Sequence, residues 1–469
     1  MKANLLEKNA TTINHEEIQA LLDEARKAGE AEKEKAVVKA EQGEKLEPGD
    51  IALLLQITDK SRLERLYKVA GEIKRRIYGN RIVLFAPLYV SNYCVNNCVY
   101  CGFQRCNKEM SRKKLNREQI QEEVRILEKM GHKRLALEAG EDPVNCSLDY
   151  ILEALDAIYE TKLENGSIRR VNVNIAATTV EDYRRLKEKG IGTYILFQET
   201  YHKPTYEKMH PHCMKSDYQY HLTAFDRAME AGIEDVGAGV LFGLYEPTFE
   251  VLALMMHNRQ LEEAFGVGFH TISMPRLKKA EGMSLQSFPH LVDDETFKRL
   301  VAIIRIAVPY TGIIMSTRET AEMRNELLSY GVSQVSAGSC TGIGGYKEEE
   351  DGLKTEQFEL SDERKPLEVI KDLISDGYIP SYCTACYRQG RTGDRFMELA
   401  RTGNIQNVCT PNALLTLMEY MLDYGDSELS ELGGRLVEKE LSAIGHASVK
   451  KALTDKLARL KSGERDLFF

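Results

Sequence analysis

The sequence predicts an α/β chain built as a (β/α)8 TIM-type barrel, with an N-terminal helical extension and a C-terminal helical domain. Two observations carry this. Eight short β-type runs alternate with amphipathic helical stretches between residues 81 and 375, and eight is the number that closes such a barrel. Each run is apolar along most of its length, as in a parallel sheet buried on both faces. A doubly wound open sheet is the alternative for the same strand count.

Residues 1–80 are charged and helical in pattern. "NHEEIQALLDEARKA" places an Asn before a Glu-rich first turn, with Ile18, Leu21 and Leu22 at helical spacing. "EPGDIALLLQI" reads as a Pro-Gly turn feeding a short helix. The barrel is expected over 81–375. Its strand runs are 81–90, 134–140, 170–178, 193–200, 235–243, 269–275, 312–319 and 333–339, separated by helical stretches such as "NREQIQEEVRILEKMG". In a barrel of this kind chemistry gathers at the carboxyl ends of the strands. Glu138, Glu141, Asn174, Gln198, Glu199, His270, Ser316 and Arg318 are read as lying there. From 376 to 469 the β pattern stops and the tail reads as helical.

The 469 residues are 43% hydrophobic and 29% charged, enough for a sizeable core and more than one domain. The net charge of -9 argues against a broad nucleic-acid surface. The basic runs "IKRRIYGNR" and "SRKKL" read as solvated helix faces. No stretch reaches the ~20 apolar residues of a membrane span, and the N terminus has no signal-peptide pattern. A cytoplasmic chain with reduced thiols is expected, in which ten cysteines point to metal or redox chemistry.

Cys94, Cys98 and Cys101 lie in "SNYCVNNCVYCGF" with the spacing C-x3-C-x2-C. Thiolates suit zinc or iron–sulfur clusters. Three ligands leave one position open, and Cys106 is the competing fourth ligand of a closed zinc site. A second set, "SYCTACYRQGRTGDRFM" followed by "NVCTP", gives Cys383, Cys386 and Cys409 as C-x2-C-x22-C. A zinc knuckle closed by His446 is its competing reading. "HPHC" (210–213) reads as loop packing, and Cys146 and Cys340 as packed or solvent-facing thiols.

The first motif, with Tyr100 in its aromatic slot, resembles the signature of the radical S-adenosylmethionine (SAM) superfamily. That resemblance implies a 4Fe–4S cluster on Cys94, Cys98 and Cys101 whose open iron binds SAM. "EAGEDP" (138–143), with Glu138, Gly140 and Glu141, resembles the segment that holds the methionine amino group. "GVLFGLYE" (239–246), with Gly239, Leu241 and Gly243, resembles the pattern along the adenine. Asn174, Gln198 and Glu199 are candidates for ribose contacts, or polar residues of the barrel layers.

"QETYHKPTYEKMHP", "SAGSCTGIGGY" and "STRE" resemble the tyrosine lyases of the superfamily. The tail cysteines single out the branch that matures FeFe-hydrogenase over the thiazole-forming branch. The resemblance implies cleavage of L-tyrosine to p-cresol and dehydroglycine, and conversion of the latter to carbon monoxide and cyanide for an Fe(CO)2(CN) unit. It implies a second Fe–S cluster with an additional iron, ligated by a free cysteine and by His270, for which a barrel histidine is the alternative. Arg318, with Ser316, is the candidate for holding the tyrosine carboxylate through its planar fork, against a structural ion pair. It further implies a ferredoxin- or flavodoxin-type electron donor, other hydrogenase maturation proteins as partners, and an anaerobic host. A lyase that stops at dehydroglycine and a non-catalytic Fe–S carrier are the alternative functions.

Overall fold

The structure, a computed structural model, describes residues 10–280, 283–347 and 355–469. The first nine residues of the N-terminal extension lie outside the described residues. Eight parallel strands form the centre: β1 Arg81–Ser91, β2 Arg134–Ala139, β3 Arg170–Asn174, β4 Tyr194–Glu199, β5 Val236–Val240, β6 Thr271–Ser273, β7 Gly312–Met315 and β8 Gln334–Ser336. Neighbours pair in order, and β8 returns to β1 through Val83↔Gln334, Leu84↔Val335 and Phe85↔Ser336. That last pairing closes the sheet and rules out the doubly wound alternative.

Most strand residues are buried, which is why the runs read as continuously apolar. All the strands but β1 are shorter than the sequence runs. Residues 175–178, 241–243, 316–319 and 337–339 leave the sheet and become loops at its carboxyl rim. Eight helices form the outer ring: α5 Arg117–Lys129, α6 Leu148–Glu160, α7 Val180–Glu188, α8 Ala224–Glu230, α9 Pro247–Phe265, α10 Asp294–Ala307, α11 Ala321–Leu328 and α12 Pro366–Ser375. Asn116, Ser147, Thr179, Asp293 and Thr320 each accept a backbone N–H at the start of one of these helices. Such caps satisfy donors that the helix cannot.

The extension holds α1 His15–Lys27, α2 Glu30–Glu41, α3 Pro48–Leu55 and α4 Lys60–Tyr78. Asn14 caps α1, and Ile18, Leu22 and Ala25 form its buried stripe. Proline occupies the first position of α3, where its missing N–H costs nothing. α4 packs along α10 and runs directly into β1.

Two expectations change here. In "IKRRIYGNR" only Arg75 and Arg76 are solvated; Lys74 is 1% and Arg81 6% exposed. Lys74 lies under the Tyr378 ring, and burial pushes its ammonium down to about 7. The tail is not wholly helical either: β9, Ile379–Ser381, pairs with Arg81–Val83 at the start of β1. Three residues including a proline carry no strand signal, yet proline is tolerated at a sheet edge. Helices α13 Gly393–Arg401, α14 Gln406–Tyr424, α15 Ser427–Ala443 and α16 Ala447–Lys461 complete the tail. Among the described residues no helix is long and apolar enough to cross a membrane.

Candidate active site and a second cysteine site

A cavity of about 740 Å³ opens at the carboxyl ends of the strands, with Cys94, Cys98 and Cys101 in its wall. The cysteine loop has no regular structure, so side chains and neighbouring loops hold it. Arg112 donates to the carbonyls of Asn92 (2.7 Å), Phe103 (2.8 Å) and Gln104 (2.6 Å). Arg112 lies in a run that reads as solvated, but in the structure it clamps this loop. The loop also zips onto "AGED". Val95 N–H bonds Glu141 O at 2.8 Å, and Asn96 Nδ2 bonds Glu141 Oε2 at 2.5 Å. Gly140 is required there, since a Cβ would sit 2.3 Å from the Tyr93 carbonyl.

Burial pushes all three thiols up, Cys101 to about 11. Alone they stay protonated and uncharged; a metal would stabilise them as thiolates. Cys106 is exposed, donates to Asn97 Oδ1 at 3.2 Å and does not line the cavity. Among the described residues no three donors converge on a single metal position. The fit of an iron–sulfur cluster therefore rests on donor chemistry and placement, and here both agree: three soft ligands on one clamped loop in the wall of a large, mostly apolar-lined cavity.

The other expected residues divide. Tyr100, Glu138, Gly140, Glu141, Asn174, Glu199, Leu241, Ser316 and Arg318 line the cavity. Gln198 does not; its side-chain nitrogen is buried without a partner on the other side of β4. The reason is a register shift between Phe197 and Glu199, with Glu199 at φ 67°, which turns Glu199 inward instead. Glu199 Oε1 accepts from Lys215 Nζ at 2.7 Å. Gly239 and Gly243 also lie outside the cavity wall. Gly239 leaves room for the Phe197 ring, which does line it, and Gly243 (φ 127°) turns the chain against Leu277. Tyr100 bonds His210 Nε2 at 2.7 Å, while His210 Nδ1 bonds Tyr206 O at 2.7 Å. Both nitrogens of His210 are thus used, and "HPHC" is loop packing.

Arg318 reaches the cavity with its guanidinium 3.3 Å over the Phe358 ring, and its backbone N–H faces Ser316 Oγ at 3.4 Å. Among the described residues no acid forms an ion pair with it, so the structural ion pair considered for Arg318 is not formed. Burial lowers its affinity for a proton without neutralising it. Opposite, burial pushes Glu138 up to about 8, leaving that carboxyl mostly protonated at neutral pH. The cavity thus presents a charged guanidinium and a mostly neutral carboxyl group. Cys146 also lines it, where burial pushes the thiol up to about 12.

The second cysteine set lies at the opposite end of the same barrel. Cys383, Cys386 and Cys409 surround a cavity of about 70 Å³ together with Arg81, Arg134, His270, Tyr387 and Phe396. His270 was expected at the carboxyl end of the sixth strand. It instead precedes β6, at the amino end, because pairing begins only at Thr271. That move brings it to the second cysteines and away from the first. Its Nε2 lies 2.8 Å from the Tyr387 hydroxyl and its Nδ1 3.4 Å from Asp235 Oδ1. Burial holds the imidazole neutral. With Nδ1–H turned to Asp235, Nε2 carries the lone pair and accepts from the Tyr387 hydroxyl, which would have to turn aside for Nε2 to take a metal. Cys409 hydrogen-bonds Cys386, which favours the thiolate on Cys386 beside Arg391 and Arg81. His446 is exposed and does not line this cavity, so it does not complete the set.

Sequence reasoning missed three arginines at this end. Arg81, Arg134 and Arg170 are all buried, and Arg81 Nη1, Arg134 Nε and Arg170 Nη1 have no partner. Arg134 Nη1 donates to Cys383 O at 2.8 Å, and Arg170 lies over the Tyr387 ring. The signal was present: each is the first residue of its strand, β1, β2 and β3. Arg81 and Arg134 line the cysteine cavity, and their positive charge would offset that of thiolates formed on metal binding.

Comparison with known proteins agrees with this geometry. The model of the radical SAM superfamily matches residues 88–257, and that of the Biotin and Thiamin Synthesis associated domain matches 273–379. The 2-iminoacetate synthase of Escherichia coli (strain K12) is 31% identical over 333 residues, 71% of this chain and 85% of that protein. A crystal structure of HydG, a maturase of the FeFe-hydrogenase, is 56% identical with a TM-score of 0.94, covering 97% of this chain and 99% of that one. HydG from Carboxydothermus hydrogenoformans is 37% identical with a TM-score of 0.83, again over 97% and 99%.

Proposed function

The chain belongs to the HydG family of the radical SAM superfamily, and on that premise we propose that it is a tyrosine lyase that makes carbon monoxide and cyanide. L-Tyrosine is cleaved between Cα and Cβ to p-cresol and dehydroglycine. Dehydroglycine is converted at the second cysteine site, and the products join an iron as an Fe(CO)2(CN) unit for the hydrogenase active site. The observation that carries this reading is the pair of cysteine triads at opposite ends of one barrel, the second facing His270. A HydG structure covers 97% of the chain, whereas the 2-iminoacetate synthase matches 71% of it.

Cys94, Cys98 and Cys101 would hold a 4Fe–4S cluster, and with SAM bound there the chemistry supplied would be one-electron cleavage of the sulfonium to a hydrogen-abstracting radical. The chain's residues orient and shield. Arg318 takes the tyrosine carboxylate, with Ser316 fixing the turn that presents it. Glu138, mostly neutral and close to Asn174 across the β2–β3 pair, supplies a proton donor in the cavity. Tyr100, Leu241, Met209 and Phe288 pack around Cys98 as an apolar wall that keeps out water. At the second site Cys383, Cys386, Cys409 and His270 would hold a second cluster and the additional iron, with a free cysteine as a further iron ligand. A ferredoxin- or flavodoxin-type donor and other maturation proteins complete the cycle.

Anaerobic protein reconstituted with iron and sulfide, then given SAM, dithionite and tyrosine, is expected to release p-cresol, carbon monoxide and cyanide. p-Cresol without carbon monoxide or cyanide would instead mark a lyase that stops at dehydroglycine. Absence of 5′-deoxyadenosine would leave only an Fe–S carrier. A second expectation concerns Arg318. Arg318→Met removes the fork at similar volume and should raise KM for tyrosine on the order of 10- to 100-fold, the worth of charge-assisted bonds to a carboxylate. Arg318→Lys should recover part of it. A KM left at the wild-type value would return Arg318 to a packing role on Phe358.

A further inference from the structure

Residues 355–362 run between the cysteine loop and the loop carrying Arg318, and bond to both. Gly102 N–H donates to Gln357 O (3.3 Å), and Ser361 and Asp362 N–H donate to Thr317 O (2.9 and 3.1 Å). Gln357 N–H in turn donates to Thr341 O at 3.4 Å. Gly102 can only be glycine here, since a Cβ would lie 2.8 Å from the Gln357 carbonyl. Adjacent residues of this segment therefore reach two different parts of the site. Phe358 carries the Arg318 guanidinium, while Gln357 points at a cysteine ligand.

Gln357 Nε2 lies 3.6 Å from Cys101 Sγ, and Tyr89 donates its hydroxyl to Gln357 Oε1 at 2.9 Å. Both ends of the amide are thus committed. A thiolate only accepts, so against a ligated Cys101 the amide must present its N–H. That leaves Oε1 for the Tyr89 hydroxyl, whose ring is fixed edge-on against Phe103. The orientation is set from two sides.

We propose that Gln357 is a positioning residue that tunes the first cluster, its amide N–H donating to the Cys101 sulfur and favouring the reduced state. The proposal rests on the reading that Cys94, Cys98 and Cys101 hold a 4Fe–4S cluster. Reduction adds negative charge that spreads onto the sulfurs. A donor aimed at one of them stabilises the reduced form and raises the potential, and the effect is strengthened in a poorly solvated wall. No motif marks Gln357, because it acts from a loop far away in sequence.

The test is an EPR-monitored redox titration of the reconstituted full-length protein, wild type against Gln357→Leu and Gln357→Glu. Both variants keep the backbone bonds of the segment, and thermal unfolding midpoints confirm an intact fold. At the potential where the wild-type cluster is half reduced, the reduced-to-oxidised ratio is expected to fall about fivefold in Gln357→Leu, ~1 kcal/mol for one hydrogen bond. Gln357→Glu, which sets a carboxylate beside the sulfur, should fall further. An unchanged midpoint potential in both variants overturns the proposal. A wild-type protein that loads no SAM-responsive cluster overturns instead the reading beneath it.

Discussion

Cys98→Ala is expected to leave a folded protein with no SAM-responsive cluster and no detectable p-cresol. The loop around Cys98 is held by contacts that do not need its sulfur. Val99 N–H bonds Met209 O, Cys101 N–H bonds the Cys98 carbonyl, and Arg112 clamps the carbonyls on either side. Losing one buried sulfur costs on the order of 1 kcal/mol in packing, small against the ~5–15 kcal/mol that holds a domain together. The cluster has no such reserve. Its ligands must come from this loop, and the exposed Cys106 points to Asn97 rather than into the cavity. Cys106→Ala should therefore keep both cluster and p-cresol. Iron and sulfide analysis with EPR on the two variants separates the three-ligand site from a four-cysteine one. A Cys98→Ala protein that retained a SAM-shifted signal would sink the assignment.

What the sequence made legible was whatever sits close together along the chain. Cys94, Cys98 and Cys101 share one loop, Cys383 and Cys386 another, and spacing alone exposes both sets. The barrel was legible because strands buried on both faces write continuous apolar runs. Sidedness was not. "FHTISMP" has strand-compatible residues on both sides of His270, so nothing in it marks where pairing begins, and the sequence reading sets the histidine at the wrong end of its strand. Gln198 and Glu199 carry the same expectation, and a bulge that breaks strict alternation leaves only Glu199 in the cavity wall. Arg81 falls in a run that reads as solvated, and Arg134 and Arg170 merely open apolar strand runs, because composition does not say which way a side chain faces. Only Arg134↔Arg170 as direct partners across β2 and β3 reveals a shared floor. Gln357 was invisible for a different reason: its partner is 256 residues away.

The floor arrangement leads to the second large effect. Cys386→Ala is expected to go on releasing p-cresol while losing carbon monoxide. Arg81 at one end of β1 faces the second cavity, and Cys94 follows shortly after Ser91 at the other end. At about 3.3 Å per residue that strand separates the two sites by roughly 30 Å. Removing one sulfur at the floor leaves the first cavity's wall, its Arg318 and its clamped loop untouched. At the second site the same change removes a ligand and the Cys386–Cys409 hydrogen bond, and leaves Arg81 with less negative charge to face. A three-thiolate site reduced to two is not expected to keep its cluster. Carbon monoxide trapped by deoxyhaemoglobin should fall to background while p-cresol stays within about twofold of wild type, since sites this far apart and without shared partners behave nearly independently. An unchanged carbon monoxide yield would remove the second site from the chemistry. Loss of both products would instead mean that the floor and the rim of the barrel are energetically one unit, joined through β1.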